Sequence, residues 1–206
     1  MPNYVSIEDN QSLQRTLVPQ GTHLATCCAV IDLGKHPNYS GDKMVRQMMY
    51  SFEFPNVKAV FDKDKGEQPL VRGTMFNVTL HTKGLLRPFL EKWLGRSLTQ
   101  KELLQFDVES MIGKPAMVSV THKPNGKGDI KDRITGIQAM PEGMPTPEVI
   151  TPPVVYNIDD HPTNWDQIPN WVQNIIQDSQ TYKERVAQSQ QSDANSAEKE
   201  TVSVPF

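Results

Sequence analysis

The 206-residue sequence predicts a mainly β protein: a small five-stranded barrel with one helix between its third and fourth strands, then a largely disordered acidic C-terminal tail. Three observations carry that prediction. Residues 70–80 place Phe76, Val78 and Leu80 at alternate positions, the period-2 mark of a half-buried strand. Residues 85–94 change period: Leu86, Phe89, Leu90, Trp93 and Leu94 fall at i, i+3, i+4, i+7 and i+8, one apolar stripe of a helix, and Gly95 follows as its stop. Residues 114–121 return to strand, with Met117 and Val118 inside it.

The other elements follow in chain order. Residues 1–20 are polar and weakly patterned, an N-terminal arm. Residues 22–33 (THLATCCAVIDL) are rich in small and β-branched side chains and read as the first strand; Cys27 and Cys28 are neighbours on it, so they face opposite sides and are read as buried reduced thiols. Residues 34–43 hold two glycines and a proline and read as a loop. Residues 44–54 read as the second strand. One face carries Met44, Arg46, Met48, Tyr50, Phe52 and Phe54, the other Val45, Gln47, Met49, Ser51 and Glu53, and the pattern leaves open which is core. Residues 55–69 are expected to form a long hairpin connection to the third strand. In 97–111, Thr99 with Glu102 three residues on is a capping pair, and Leu103, Leu104 and Phe106 are expected to pack on the barrel. Gly113 and Pro115 open the fourth strand, 123–131 is a Gly-rich turn, and 133–139 is the fifth strand.

After Met140 the composition changes. Residues 140–153 contain five prolines and read as an extended linker; 165–176 allow one short amphipathic helix with Trp171, Ile175 and Ile176. From 188 onward the chain is too polar to fold alone. The order β–β–β–α–β–β is the layout of the OB-fold, a Greek-key barrel that binds oligonucleotides or oligosaccharides on its strand 2–3 face and connecting loops; other five-stranded α+β sandwiches are the alternative. The expected organisation is an arm over 1–20, an OB-fold nucleic-acid-binding domain over 21–141, a Pro-rich linker with a short helix over 142–187, and a disordered acidic tail over 188–206.

Charge divides the same way. Residues 1–140 carry 18 Lys and Arg against 14 Asp and Glu, a net of +4, and 141–206 carry 3 against 10, a net of −7. A basic body with an acidic tail suits a polyanion partner. No apolar run approaches the roughly 20 residues of a membrane helix, and the N-terminus has no signal-peptide pattern. The chain is therefore expected to be soluble and intracellular, with no membrane partner. Catalysis finds no anchor: the histidines at 23, 36, 81, 122 and 161 lack metal-ligand spacing, and no nucleophile-elbow, phosphate-loop or zinc-protease motif occurs. Asp159-Asp160-His161 reads as a solvated loop. The expectation is a binding protein rather than an enzyme, with no metal and no cofactor.

The candidate DNA-binding residues lie mainly on three connections. These are Lys35, Tyr39 and Lys43 in the first, Lys58, Phe61, Lys63 and Lys65 in the second, and Lys123, Lys127 and Lys131 in the last. Arg46 and Tyr50 on the second strand and Arg72 on the third complete the set. Lysines attract phosphates without directional demands, and bases stack on aromatic faces with little sequence preference. Phe52 and Trp93 are read as core. At the chain end, Pro205 and Phe206 form a candidate partner-binding anchor: an apolar terminal residue after a polar segment can enter a partner's pocket with its carboxylate on a basic group. Bacterial single-stranded DNA-binding proteins close an acidic run with Pro-Phe to recruit replication and repair proteins. This ending resembles theirs in Pro205-Phe206, while its acidic run, Asp193, Glu198 and Glu200, is sparse.

THLATCCAVIDLG, the strand ending FEFP, TLHTKGLLRPFLEKWLGRSLT, FDVESMIGKPAMVSVTHK and ITGIQAMP together resemble a group of phage and prophage single-stranded DNA-binding proteins, replication and recombination accessory factors with an OB-like fold. The likeness spans about residues 20–141. It implies non-sequence-specific binding of single-stranded DNA in phage replication or recombination, in the cytoplasm of a bacterial host. Replication and recombination proteins are the expected partners of the tail, and an unpaired edge strand offers such a barrel a route to self-association. The competing function is a phage interaction adaptor that docks on a host or phage replication enzyme through Trp165 and Trp171 without touching DNA.

Overall fold

The computed structural model describes residues 16–62, 64 and 66–189. Five long antiparallel strands form one curled sheet: β1 (Gly21–Pro37), β2 (Met44–Asp62), β3 (Gly66–Asn77), β4 (Pro115–Pro124) and β5 (Ile130–Gln138), in spatial order β3-β2-β1-β4-β5. Helix α1 (Leu86–Leu94) follows β3 in the chain, and α2 (Gln100–Leu104) leads towards β4. The fold is mainly β, as expected. The strands run further than the residue pattern suggests. Residues 34–37 belong to β1, and most of the expected 55–69 connection is ladder, with Lys58 opposite Pro69 and Val60 opposite Glu67.

Both faces of β1 and β2 are buried, which resolves the ambiguity of the second strand. Met48, Tyr50, Phe52 and Phe54 enter the main core with Ala25, Cys27, Leu70, Val118 and Ile137. The α1 stripe seals that core. Phe89 lies 4.5 Å from Phe76 between ring centroids, Trp93 lies 5.0 Å from Phe52, and the Trp93 indole N–H donates to the Pro115 carbonyl at 3.1 Å. Gly95 caps the helix at φ 67°, a left-handed conformation that glycine adopts without a Cβ clash. Thr99 and Glu102 form the expected capping box at α2. Leu104 does not pack: it is 89% exposed, whereas Leu103 and Phe106 are half-buried. Cys27 and Cys28 are buried free thiols, as expected, and burial followed by the charge of Glu53 pushes the Cys28 thiol up to about 12, so it is inert at neutral pH.

The sheet curls far enough for its two edge strands to meet. β3 and β5 make contact but share no ladder. A side-chain pair bridges them instead: the Arg72 Nε–H donates to the Asp132 carboxylate at 2.6 Å, with both side chains nearly buried. The same carboxylate accepts the Val18 N–H at 2.8 Å, and Arg72 donates to the Thr16 carbonyl at 2.7 Å. Val18 is wholly buried, so the end of the expected arm is part of the fold. Residues 1–15 lie outside the described residues.

The segment expected to be a linker is a folded wing. β6 (Val154–Tyr156) pairs in parallel with β1, and α3 (Asn170–Asp178) packs across β1, followed by α4 over residues 180–189. Ile158, Ile168, Val172 and Ile176 form a second core with Ile31, Leu33 and Met49 on the outer face of β1 and β2. Gly34, at φ 79°, lies tight against the wing: a Cβ there would stand 2.6 Å from the Ser179 Oγ. Glu53 fastens the proline-rich stretch. Its buried carboxylate accepts the Ile150 N–H at 3.0 Å and the Thr151 N–H at 2.6 Å. Composition alone hides this, because the prolines suggest an extended chain while the acceptor that orders them sits about a hundred residues upstream. Glu53→Ala is expected to lower stability by about 1–3 kcal/mol, the cost of stranding two amides. Proteolysis within 142–153 should accelerate with it, and unchanged cleavage would contradict the clip.

Candidate nucleic-acid interface

Strand register decides which of the three basic connections lie together. β1 meets β2 from Thr26 opposite Glu53 to Pro37 opposite Met44, and meets β4 from Gly21 opposite Val120 to Thr26 opposite Pro115. The β2–β3 and β4–β5 hairpin tips therefore share the end of the sheet where β1 begins. The β1–β2 turn, with Tyr39 and Lys43, lies at the opposite end. Lys35 sits near it, opposite Arg46, and its N–H is held by Thr181 at 3.1 Å. Tyr39 is fully exposed there. These three do not join the other two groups.

Three further candidates are corrected by their surroundings. Tyr50 is wholly buried, stacked with Phe89 at 6.4 Å and edge-on to Trp93 at 5.5 Å, and its hydroxyl donates to the Val108 carbonyl; burial pushes its phenol pKa well up. It offers no face to a base. Arg46 is gripped by Asp32 and by Asp159 at 2.9 Å, and these bonds, Asp32 first, keep its guanidinium charged but neutralised. Arg72 spends its donors on Asp132, Thr16 and the Val71 carbonyl. The last two are fasteners of the wing and of the sheet seam. Lys63, Lys65, Pro205 and Phe206 lie outside the described residues.

Of the remaining candidates, Phe61 and Lys131 meet at one place. A cleft of about 700 Å³ opens beside the β3/β5 seam, between the β2–β3 hairpin, β5 and the start of α3. Phe61, 64% exposed, stands on the hairpin side, and Lys131 and Arg133 stand on the β5 side. Lys58 is exposed on the same hairpin, and Lys123 and Lys127 are exposed on the β4–β5 hairpin. Lys123 and Lys131 are directly opposed in the ladder, a like-charge pair that costs stability unless an anion covers it. The Asp129 carboxylate lies 4.0 Å from the Lys131 ammonium. Asp132 also lines the cleft, but Arg72 already neutralises it.

The outer face of β2 is not open to a ligand as expected, since Met49, Ser51 and Glu53 are buried at the wing. The seam cleft beside β3 is open instead. The sequence-based set omits Arg133. Its signal was present: Lys131, Arg133 and Thr135 alternate on β5, so a basic residue at 131 on the outer face implies another two positions on. Among the described residues no three His, Cys, Asp or Glu side chains gather to hold a metal ion, and no helix is long and apolar enough to cross a membrane.

These features define a class: a curled antiparallel sheet with a basic cleft at its open seam. Compared with protein-family models, with characterised proteins and with solved structures, the chain matches none.

Proposed function

We propose that the protein binds single-stranded DNA without sequence preference, as an OB-type module serving phage replication or recombination in a bacterial cytoplasm. The observation that carries this reading is the cleft: Phe61 faces water on one wall, Lys131 and Arg133 line the other, and among the described residues the one carboxylate in the lining, Asp132, is already neutralised. Cations there would neutralise phosphates, and an exposed ring would stack on a base of any identity. The sheet order β3-β2-β1-β4-β5, with α1 between β3 and β4 in the chain and β3 meeting β5, supports the finer reading of a five-stranded OB barrel left open at that seam. The resemblance to phage single-stranded DNA-binding proteins read in residues 20–141 is part of this proposal. Pro205 and Phe206 would recruit replication or recombination proteins. The test is titration of a labelled oligo(dT) at two salt concentrations: affinity should fall as salt rises, and failure to bind at low salt would overturn the proposal.

A further inference from the structure

Trp171 is a side chain of the wing that the wing's own packing leaves half exposed. α3 anchors through Val172 and Ile176, both wholly buried against β1 and β2. Trp171, next to Val172, is 53% exposed and lines the same cleft as Phe61, Lys131 and Arg133. A tryptophan left half in water adds little to the fold, since its stabilising contribution comes from burial. Trp93 is buried in the main core, and Trp165 is half-buried and stacked on Tyr182 at 5.9 Å. Trp171 is thus the indole that a ligand in the cleft can reach. Its position does not follow from the barrel alone: it depends on the packing of α3 across β1 and on the attachment of the wing.

We propose that Trp171 is a base-stacking residue of the cleft, so that the single-stranded DNA site is built jointly by the barrel and the C-terminal wing. The inference rests on the DNA-binding reading above. Phe61 and Trp171 offer two ring faces on a cleft with cations on the β5 wall, which suits unpaired bases with phosphates beside them. A duplex keeps its base faces inside its own stack and cannot use these rings, so the site favours single strands.

The experiment is fluorescence anisotropy of a labelled oligo(dT) with the full chain, for the wild type, Trp171→Ala, Trp171→Phe and Lys131→Ala, across a salt series. Trp171→Ala should weaken binding by about 5- to 150-fold with the salt slope and the unfolding midpoint unchanged. Trp171→Phe should restore most of the affinity. Lys131→Ala should instead reduce the salt slope by about one. Wild-type affinity in Trp171→Ala, with the wild type binding normally, would overturn the stacking role and leave the DNA-binding reading intact. A shifted unfolding midpoint in Trp171→Ala would show a structural role and would also overturn it. Absence of wild-type binding would overturn the DNA reading itself.

Discussion

Replacing Arg72 by alanine is expected to cost about 3–5 kcal/mol of folding free energy, because it leaves the Asp132 carboxylate buried without its cation. The pair is placed where the sheet has no ladder. β3 and β5 are the two edges of the curl, and Arg72 and Asp132 join them at 2.6 Å with side-chain exposures of 12% and 2%. Asp132 also holds the Val18 N–H, so the loss spreads to the segment that enters β1. Replacing both partners by apolar residues, Arg72→Met with Asp132→Leu, should restore much of the stability, since no charge then remains buried. Denaturant midpoints of these two variants and of the wild type measure this. A single variant within 1 kcal/mol of the wild type, on the order of an exposed ion pair, would show that the seam does not depend on the bridge.

Reversing the charges of the β4–β5 hairpin should produce the largest effect on binding. Lys123→Glu, Lys131→Glu and Arg133→Glu together are expected to weaken oligo(dT) binding at low salt by about 100-fold or more and to lower the salt slope by about three. The variant should fold, because all three side chains lie at the surface of the hairpin rather than in either core. Lys123→Glu alone carries a distinguishing sign. It turns the opposed Lys123–Lys131 pair into a cross-strand attraction worth roughly 0.2–1 kcal/mol, so stability should rise slightly while affinity falls. Stability and affinity falling together would indicate that the hairpin is a structural element with no phosphate contact.

The sequence revealed what periodicity controls. The stripe Leu86, Phe89, Leu90 and Trp93 gave helix α1 and its buried face, Gly95 gave its stop, and the Thr99–Glu102 pair gave the cap of α2. The alternation of Phe76 marked β3, although the strand ends three residues before Leu80. Contacts between distant residues were not legible. Nothing near Arg46 in the chain announces Asp159, and nothing near Glu53 announces Ile150 and Thr151. A strand with buried residues on both sides also defeats a rule that assumes one dry face, and the wing on β1 and β2 creates that case. The candidate site was legible in kind but not in place. Basic and aromatic residues on hairpins could be picked out, but only register separates the Tyr39–Lys43 turn from the Phe61 and Lys131 side, and only tertiary packing brings Trp171 beside them.

If the seam cleft holds a phosphate backbone with exposed bases, it must distinguish single strands from duplex in one titration. Labelled oligo(dT) and a duplex of equal length are titrated with the full chain at low and at near-physiological salt. Binding of oligo(dT) should weaken steeply as salt rises, with the duplex bound more weakly at both concentrations. Equal binding of single and double strands, or no binding of either at low salt, would contradict it.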